Sequence, residues 1–172
     1  MLHVFAVLLA LSISCWLGGA ALFTFVLTPK LFAACSRDMA GMIVGLLFPG
    51  YFRWGLICGA VALFCRLVLR GRFRSVSIAI LLAMLLLTAT QAFVIEPRAA
   101  KIKEQITSFE TTPKDDPHRV RFRHLHGLSM IANLAVVIGG VVLIALSTLP
   151  GNKPSTTTDP TATTGQSIKP RS

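Results

Sequence analysis

His126, Ser129 and Asn133 follow one another at spacings of three and four residues. On a helix that spacing puts an imidazole, a hydroxyl and a carboxamide on one face. Phe122 precedes His126 by four and shares that face. Other polar side chains stand at comparable distances from the ends of long apolar blocks: Thr88 and Gln91 before Glu96-Pro97, Tyr51 and Arg53 near the start of another block, and Thr24 and Thr28 before Pro29. Together they offer hydrogen-bond donors and acceptors, one permanent cation and one titratable base. Polar groups are costly inside lipid and tend to face a bundle interior or a cavity. His126, Ser129, Asn133, Gln91, Arg53 and Tyr51 are therefore the candidate polar cluster, read in two ways. Interhelical hydrogen bonds among such residues hold membrane helices together. The same groups could also bind a ligand or ion.

Catalytic and metal chemistry find little support. His3 lies at the opposite end of the chain's first apolar block from the level of His124 and His126, so no single iron could take His3 and either of them. His124 and His126 are two apart and point to different faces of a helix. His118 falls in a charged loop. No cysteine or carboxylate repeats at ligand spacing, which argues against zinc or di-iron. Nucleophile-elbow, P-loop and dinucleotide fingerprints are missing. No catalytic residue, metal ligand or cofactor is assigned.

The elements that must position these groups are apolar blocks. Hydrophobic residues make up 53% of the 172-residue chain and charged residues 14%. A soluble domain carries roughly a quarter charged residues. Residues 4–27 contain no charge. At about 1.5 Å per residue they reach roughly 36 Å, enough to cross a hydrocarbon core of about 30 Å. No Lys or Arg precedes Val4, which argues against a cleaved signal peptide. The spacing predicts further spans over about 46–69, 75–95 and 125–149. The second should start before Arg53 and bend near Pro49-Gly50. Asp116-Pro117 supplies an N-cap and a proline at the first helical position for the fourth. Residues 98–109 are charged and amphipathic, with Ile102, Ile106 and Phe109 at helical spacing, and are expected as an interfacial helix before the fourth span. The fold class expected is all-α: an integral membrane four-helix bundle in residues 1–149. Residues 150–172 are rich in Thr, Ser and Pro and are expected to be a disordered tail. Gly41-x-x-x-Gly45 and Gly55-x-x-x-Gly59 predict tight helix packing within the bundle.

Net charge is +10, but the bases flank apolar blocks. Such bases set topology and meet anionic lipid headgroups. Nucleic-acid binding is set aside, because no basic stripe with interleaved aromatics falls on a soluble element. With four spans, both termini and the 66–74 loop share one side of the membrane, side A. The 28–52 segment and the 96–124 loop share side B. Ten bases lie on side B and seven on side A. The total favours side B as cytoplasmic; the crowding of Arg66, Arg70, Arg72 and Arg74 beside two spans favours side A. The expected partners are the bilayer, anionic headgroups near those four arginines, and further copies or other chains in an oligomer. Cys15, Cys35, Cys58 and Cys65 form no CxxC pair and read as packing residues.

Three stretches resemble a known family. They are Trp16-Leu-Gly-Gly19 with Phe23-Thr-Phe-Val-Leu-Thr-Pro29-Lys-Leu-Phe32; Ala40-Gly41 with Leu47-Phe-Pro-Gly-Tyr51-Phe; and Phe122-Arg-His-Leu125-His126-Gly-Leu-Ser129-Met-Ile-Ala-Asn133. These are similar to the signatures of a small bacterial membrane family of uncharacterised function related to eukaryotic transmembrane protein 205. The resemblance spans roughly residues 2–149 and implies a four-helix, multi-pass inner-membrane protein with no established reaction. The function expected is a non-enzymatic binding, transport-accessory or assembly component. The alternative is a membrane redox or haem-associated protein using His126 or His3. It draws on a resemblance of Leu2-His3 and Trp16-x-Gly-Gly to copper-resistance membrane proteins and a haem-containing protoporphyrinogen oxidase type.

Overall fold

The computed structural model describes residues 1–148, so the expected tail over 150–172 lies outside the described residues. Four helices are long and apolar enough to cross a membrane: α1 (Leu2–Ala34), α2 (Arg37–Val68), α3 (Arg74–Lys103) and α4 (Pro117–Thr148). No strand occurs among the described residues. α2 and α4 each pack on both α1 and α3, so the order around the bundle is α1–α2–α3–α4. Leu2, Val68, Arg74 and Thr148 end the helices on side A. The outer walls expose Leu46, Leu86, Phe93 and Ile131 at 76%, 69%, 72% and 70%. Apolar surface on that scale is stable only against lipid or another protein.

The core draws on every helix: Ile13 and Trp16 from α1, Cys58 and Ala62 from α2, Leu81 and Met84 from α3, Val136 and Leu143 from α4. Trp16 is its largest piece, and the glycines of α2 make room for it. A Cβ on Gly55 would stand 2.8 Å from Trp16 Nε1, and one on Gly59 would stand 2.6 Å from both Trp16 Cζ3 and Leu85 Cδ2. The pair thus seats one indole rather than joining two bare backbones. Gly41 and Gly45 face Lys103 instead, with Nζ 3.6 Å and 3.9 Å from their Cβ positions.

Two helices widen before a proline. Residues Leu22–Leu27 of α1 and Gln91–Ile95 of α3 have π-helical turns. The Thr28 N–H reaches back five residues to the Phe23 carbonyl, and the Glu96 N–H does the same to Gln91. Pro29 and Pro97 come next, each lacking an N–H and crowding the carbonyl four residues back. The wider turn relieves that crowding and keeps the helix going. Similar sequence produces the same local solution twice: Phe25-Val-Leu-Thr-Pro-Lys30 and Phe93-Val-Ile-Glu-Pro-Arg98. Pro49 sits inside α2, which runs unbroken from Arg37 to Val68.

The segment expected as an interfacial helix is divided in two. Its first part, to Lys103, continues α3. The rest turns back over the side-B end. Asp38, in the first turn of α2, accepts hydrogen bonds from Ser108 Oγ at 2.6 Å and the Phe109 N–H at 2.7 Å. Ile106 is buried, and Phe109 packs on Phe122 with ring centroids 5.0 Å apart. These anchors satisfy the loop's apolar side chains on the bundle, so a separate helix lying in the interface is not formed. Asp116 Oδ1 accepts from the N–H groups of His118 and Arg119 and caps α4, as the Asp-Pro pair predicts.

Candidate functional site

Polar side chains from all four helices meet in the side-B half of the bundle. Asn133 lies 15 residues from the side-A end of α4, hence about 22 Å along the axis at 1.5 Å per residue. Tyr51 and Gln91 stand at about 25 Å on the same reckoning. Below them the core cluster is apolar, and the buried hydroxyls of Thr88 and Ser77 donate to the Met84 and Phe73 carbonyls.

Asn133 is the hub. Its Nδ2 donates to Thr24 Oγ1 of α1 at 2.6 Å, and its Oδ1 accepts from the Tyr51 hydroxyl of α2. The Tyr51 ring stacks on Phe23 of α1, centroids 4.6 Å apart, which fixes where the hydroxyl points. One turn nearer side B, Ser129 Oγ donates to Gln91 Oε1 of α3 at 3.0 Å. Gln91 is 2% exposed, so in an apolar bundle its carboxamide depends on such a partner. Thr88 Oγ1, three residues before it, bonds the Met84 carbonyl of its own helix at 2.9 Å. α4 therefore reaches all three other helices through two residues four apart.

The π-helical turns supply part of this geometry. Thr24 lies within the first and Gln91 opens the second. A π turn adds a residue to the helical register and rotates the rest of the helix by about 100° relative to a regular one.

Of the six residues expected to cluster, Tyr51, Asn133, Ser129 and Gln91 are joined by hydrogen bonds, and two stand apart. Arg53 is two residues from Tyr51, about 200° round the helix, so both cannot face the bundle axis. Arg53 is exposed and lines an outer groove between α2 and α3. His126 is exposed at the side-B end of α4 and stacks nearly parallel on Phe122, with centroids 6.0 Å apart and an interplanar angle of 5°. Phe122 in turn meets Phe109, so His126 belongs to the surface that holds the 104–116 turns. Sequence reasoning missed Asp38 as the anchor of that segment. It stands in the first turn of α2 after Ser36, whose Oγ accepts from the Met39 N–H at 3.3 Å, a helix start well ahead of the span expected over 46–69. No group of three or more His, Cys, Asp or Glu residues suited to a metal occurs among the described residues.

Residues 11–108 match a family described as a domain of unknown function (DUF4149). An uncharacterized protein of Aquifex aeolicus (strain VF5) is similar as well, 34% identical over 126 residues that make up 73% of this chain and 83% of that protein. No solved structure matches.

Proposed function

The chain belongs to the DUF4149 family, and on that premise we propose that it is a non-enzymatic binding or assembly component of the bacterial inner membrane. One observation carries this reading: the polar side chains that converge from four helices are bonded to one another. Tyr51, Asn133 and Thr24 form one chain and Ser129 with Gln91 another. Their donors and acceptors clamp the bundle. Interaction with other molecules then falls to the lipid-facing walls and the side-B surface of Asp38, Phe109, Phe122 and His126. The resemblance of the first, second and fourth helices to transmembrane protein 205 supports a common origin with that eukaryotic family and the same multi-pass architecture. Arg66, Arg70, Arg72 and Arg74 at the side-A turn are suited to anionic headgroups. Arg74 also donates to the Leu67 carbonyl at 2.9 Å and so ties the turn to the end of α2.

The test uses full-length protein from its native membrane, crosslinked before extraction and purified in mild detergent. A colourless preparation without stoichiometric metal, carrying a reproducible crosslinked membrane partner, is the expected result. A Soret band or a metal at unit stoichiometry overturns the proposal and favours redox chemistry at His126 or His3.

A further inference from the structure

Arg53 and Glu96 line the same outer groove between α2 and α3, a space of about 190 Å³ shared with Pro49, Phe52, Leu56, Ala92 and Phe93. Pockets for whole small molecules run to about 300 Å³ and above, so this groove suits a headgroup more than a drug-sized ligand. The groove is on the outside of the bundle and shares no residue with the hydrogen-bonded network. Phe93 is 72% exposed, so its wall opens towards lipid.

The order of chemistry along the groove is informative. Leu56 is deepest on α2, and Phe93 lies one turn below Glu96 on α3. Arg53 lies about 22 Å and Glu96 about 33 Å from the side-A ends of their helices, at 1.5 Å per residue. Arg53 is thus below the side-B interface and can extend its head upward along its own apolar stem. At the level of the backbone only Leu56 lies below Arg53, while Phe52, Ala92 and Phe93 flank its stem at about 24–29 Å, so an occupant passing outward meets Leu56, then the extended guanidinium between apolar walls, then the carboxylate. A glycerophospholipid with a primary amine presents acyl chains, then phosphate, then ammonium in that sequence. The planar guanidinium matches a phosphate bidentately. The carboxylate can accept hydrogen bonds from a primary ammonium, which a quaternary choline cannot donate.

From this complementarity we propose that the α2–α3 groove is a specific site for a phosphatidylethanolamine-type aminophospholipid in the side-B leaflet. Arg53 holds the phosphate, Glu96 holds the ammonium, Leu56 beds the upper acyl chains, and Phe52 and Phe93 wall the level between them. The opposed charges also discriminate. Phosphatidylglycerol satisfies Arg53 but leaves Glu96 facing a neutral, hydroxylated headgroup, and phosphatidylcholine denies Glu96 its hydrogen bonds.

The proposal is tested on the full chain in detergent by native mass spectrometry, titrating phosphatidylethanolamine, phosphatidylglycerol and phosphatidylcholine of matched acyl chains. The first phosphatidylethanolamine should bind more tightly than either competitor. Glu96→Gln should weaken phosphatidylethanolamine by about tenfold, the scale of one charge-assisted hydrogen bond, and erase its advantage over phosphatidylglycerol. Arg53→Gln should weaken this site for all three lipids, whereas Arg98→Gln, two residues beyond Glu96 and exposed, should leave the preference intact. Should Arg53→Gln fold poorly, Glu96→Gln and Arg53→Lys still decide the matter, because neither removes a cation from the interface. Equal binding of the three lipids by the unmodified protein means annular lipid only and overturns the proposal. So does a phosphatidylethanolamine preference that survives Glu96→Gln.

Discussion

Replacing Asn133 with Leu removes the residue through which α4 holds both α1 and α2. Two interhelical hydrogen bonds disappear, one to Thr24 and one from Tyr51. Such bonds in membrane proteins average about 0.6 kcal/mol each, so the loss should be about 1.2 kcal/mol. Leu has the same branching and is larger, so the substitution leaves no cavity to add to it. Tyr51→Phe deletes only the hydroxyl and keeps the ring stacked on Phe23, and should cost about 0.6 kcal/mol. Because both substitutions remove the same bond, their effects should fall short of additivity by about the value of that bond, again about 0.6 kcal/mol. The assay is reversible unfolding in mixed micelles of mild detergent and dodecyl sulfate, followed by tryptophan fluorescence from Trp16 and Trp54, with both single variants and the double. Additive effects would mean that Tyr51 and Asn133 do not interact in the membrane, and the clamp would fail as an explanation. A loss above about 3 kcal/mol for Asn133→Leu would exceed what two such bonds supply and would point to a wider role for the carboxamide.

Gly59→Ala should destabilise the bundle by about 1–3 kcal/mol in the same assay, since its Cβ would meet Trp16 and Leu85 at 2.6 Å, whereas Gly18→Ala should be neutral or stabilising because nothing lies within 4 Å of its Cβ. Asp38→Ala should release the 104–116 turns, visible as faster amide hydrogen exchange at Phe109, with the exchange of α3 and α4 unchanged; unaltered exchange at Phe109 would remove Asp38 as the anchor. Reporters fused before Met1 and after Thr148 should mark one compartment, since both helix ends lie on side A; opposite compartments would contradict the four-span topology. Truncation at Pro150 should leave insertion and thermal stability unchanged, because residues 151–172 hold few apolar side chains; a clear drop in unfolding temperature would show that they dock on the bundle.

Much of the architecture was legible along the chain because membrane insertion is judged locally. A block such as residues 4–27 declares itself by its own composition, since lipid rewards each apolar residue regardless of its distant neighbours. Asp116-Pro117 marked the start of α4 for the same reason: a cap acts within one turn. The shared face of Ser129 and Asn133 also needed nothing beyond helix geometry. Which neighbours that face meets was another matter. Lipid and bundle interior are both apolar, so hydropathy says little about the rotation of one transmembrane helix against the next. The sequence therefore left Tyr51 and Arg53 as equal candidates for the cluster. Packing separated them, turning Tyr51 inward to Asn133 and Arg53 outward to the groove beside Glu96. Gly55 and Gly59 announced close packing by themselves, but only the tertiary structure shows that they accommodate the Trp16 ring. The side-B turns were equally hidden. Residues 98–109 have the composition of an interfacial helix, and a carboxylate about 70 positions earlier in the chain, Asp38, folds their second half onto the bundle. Contacts so far apart in sequence leave no local periodicity to read, and they decide how the site is closed.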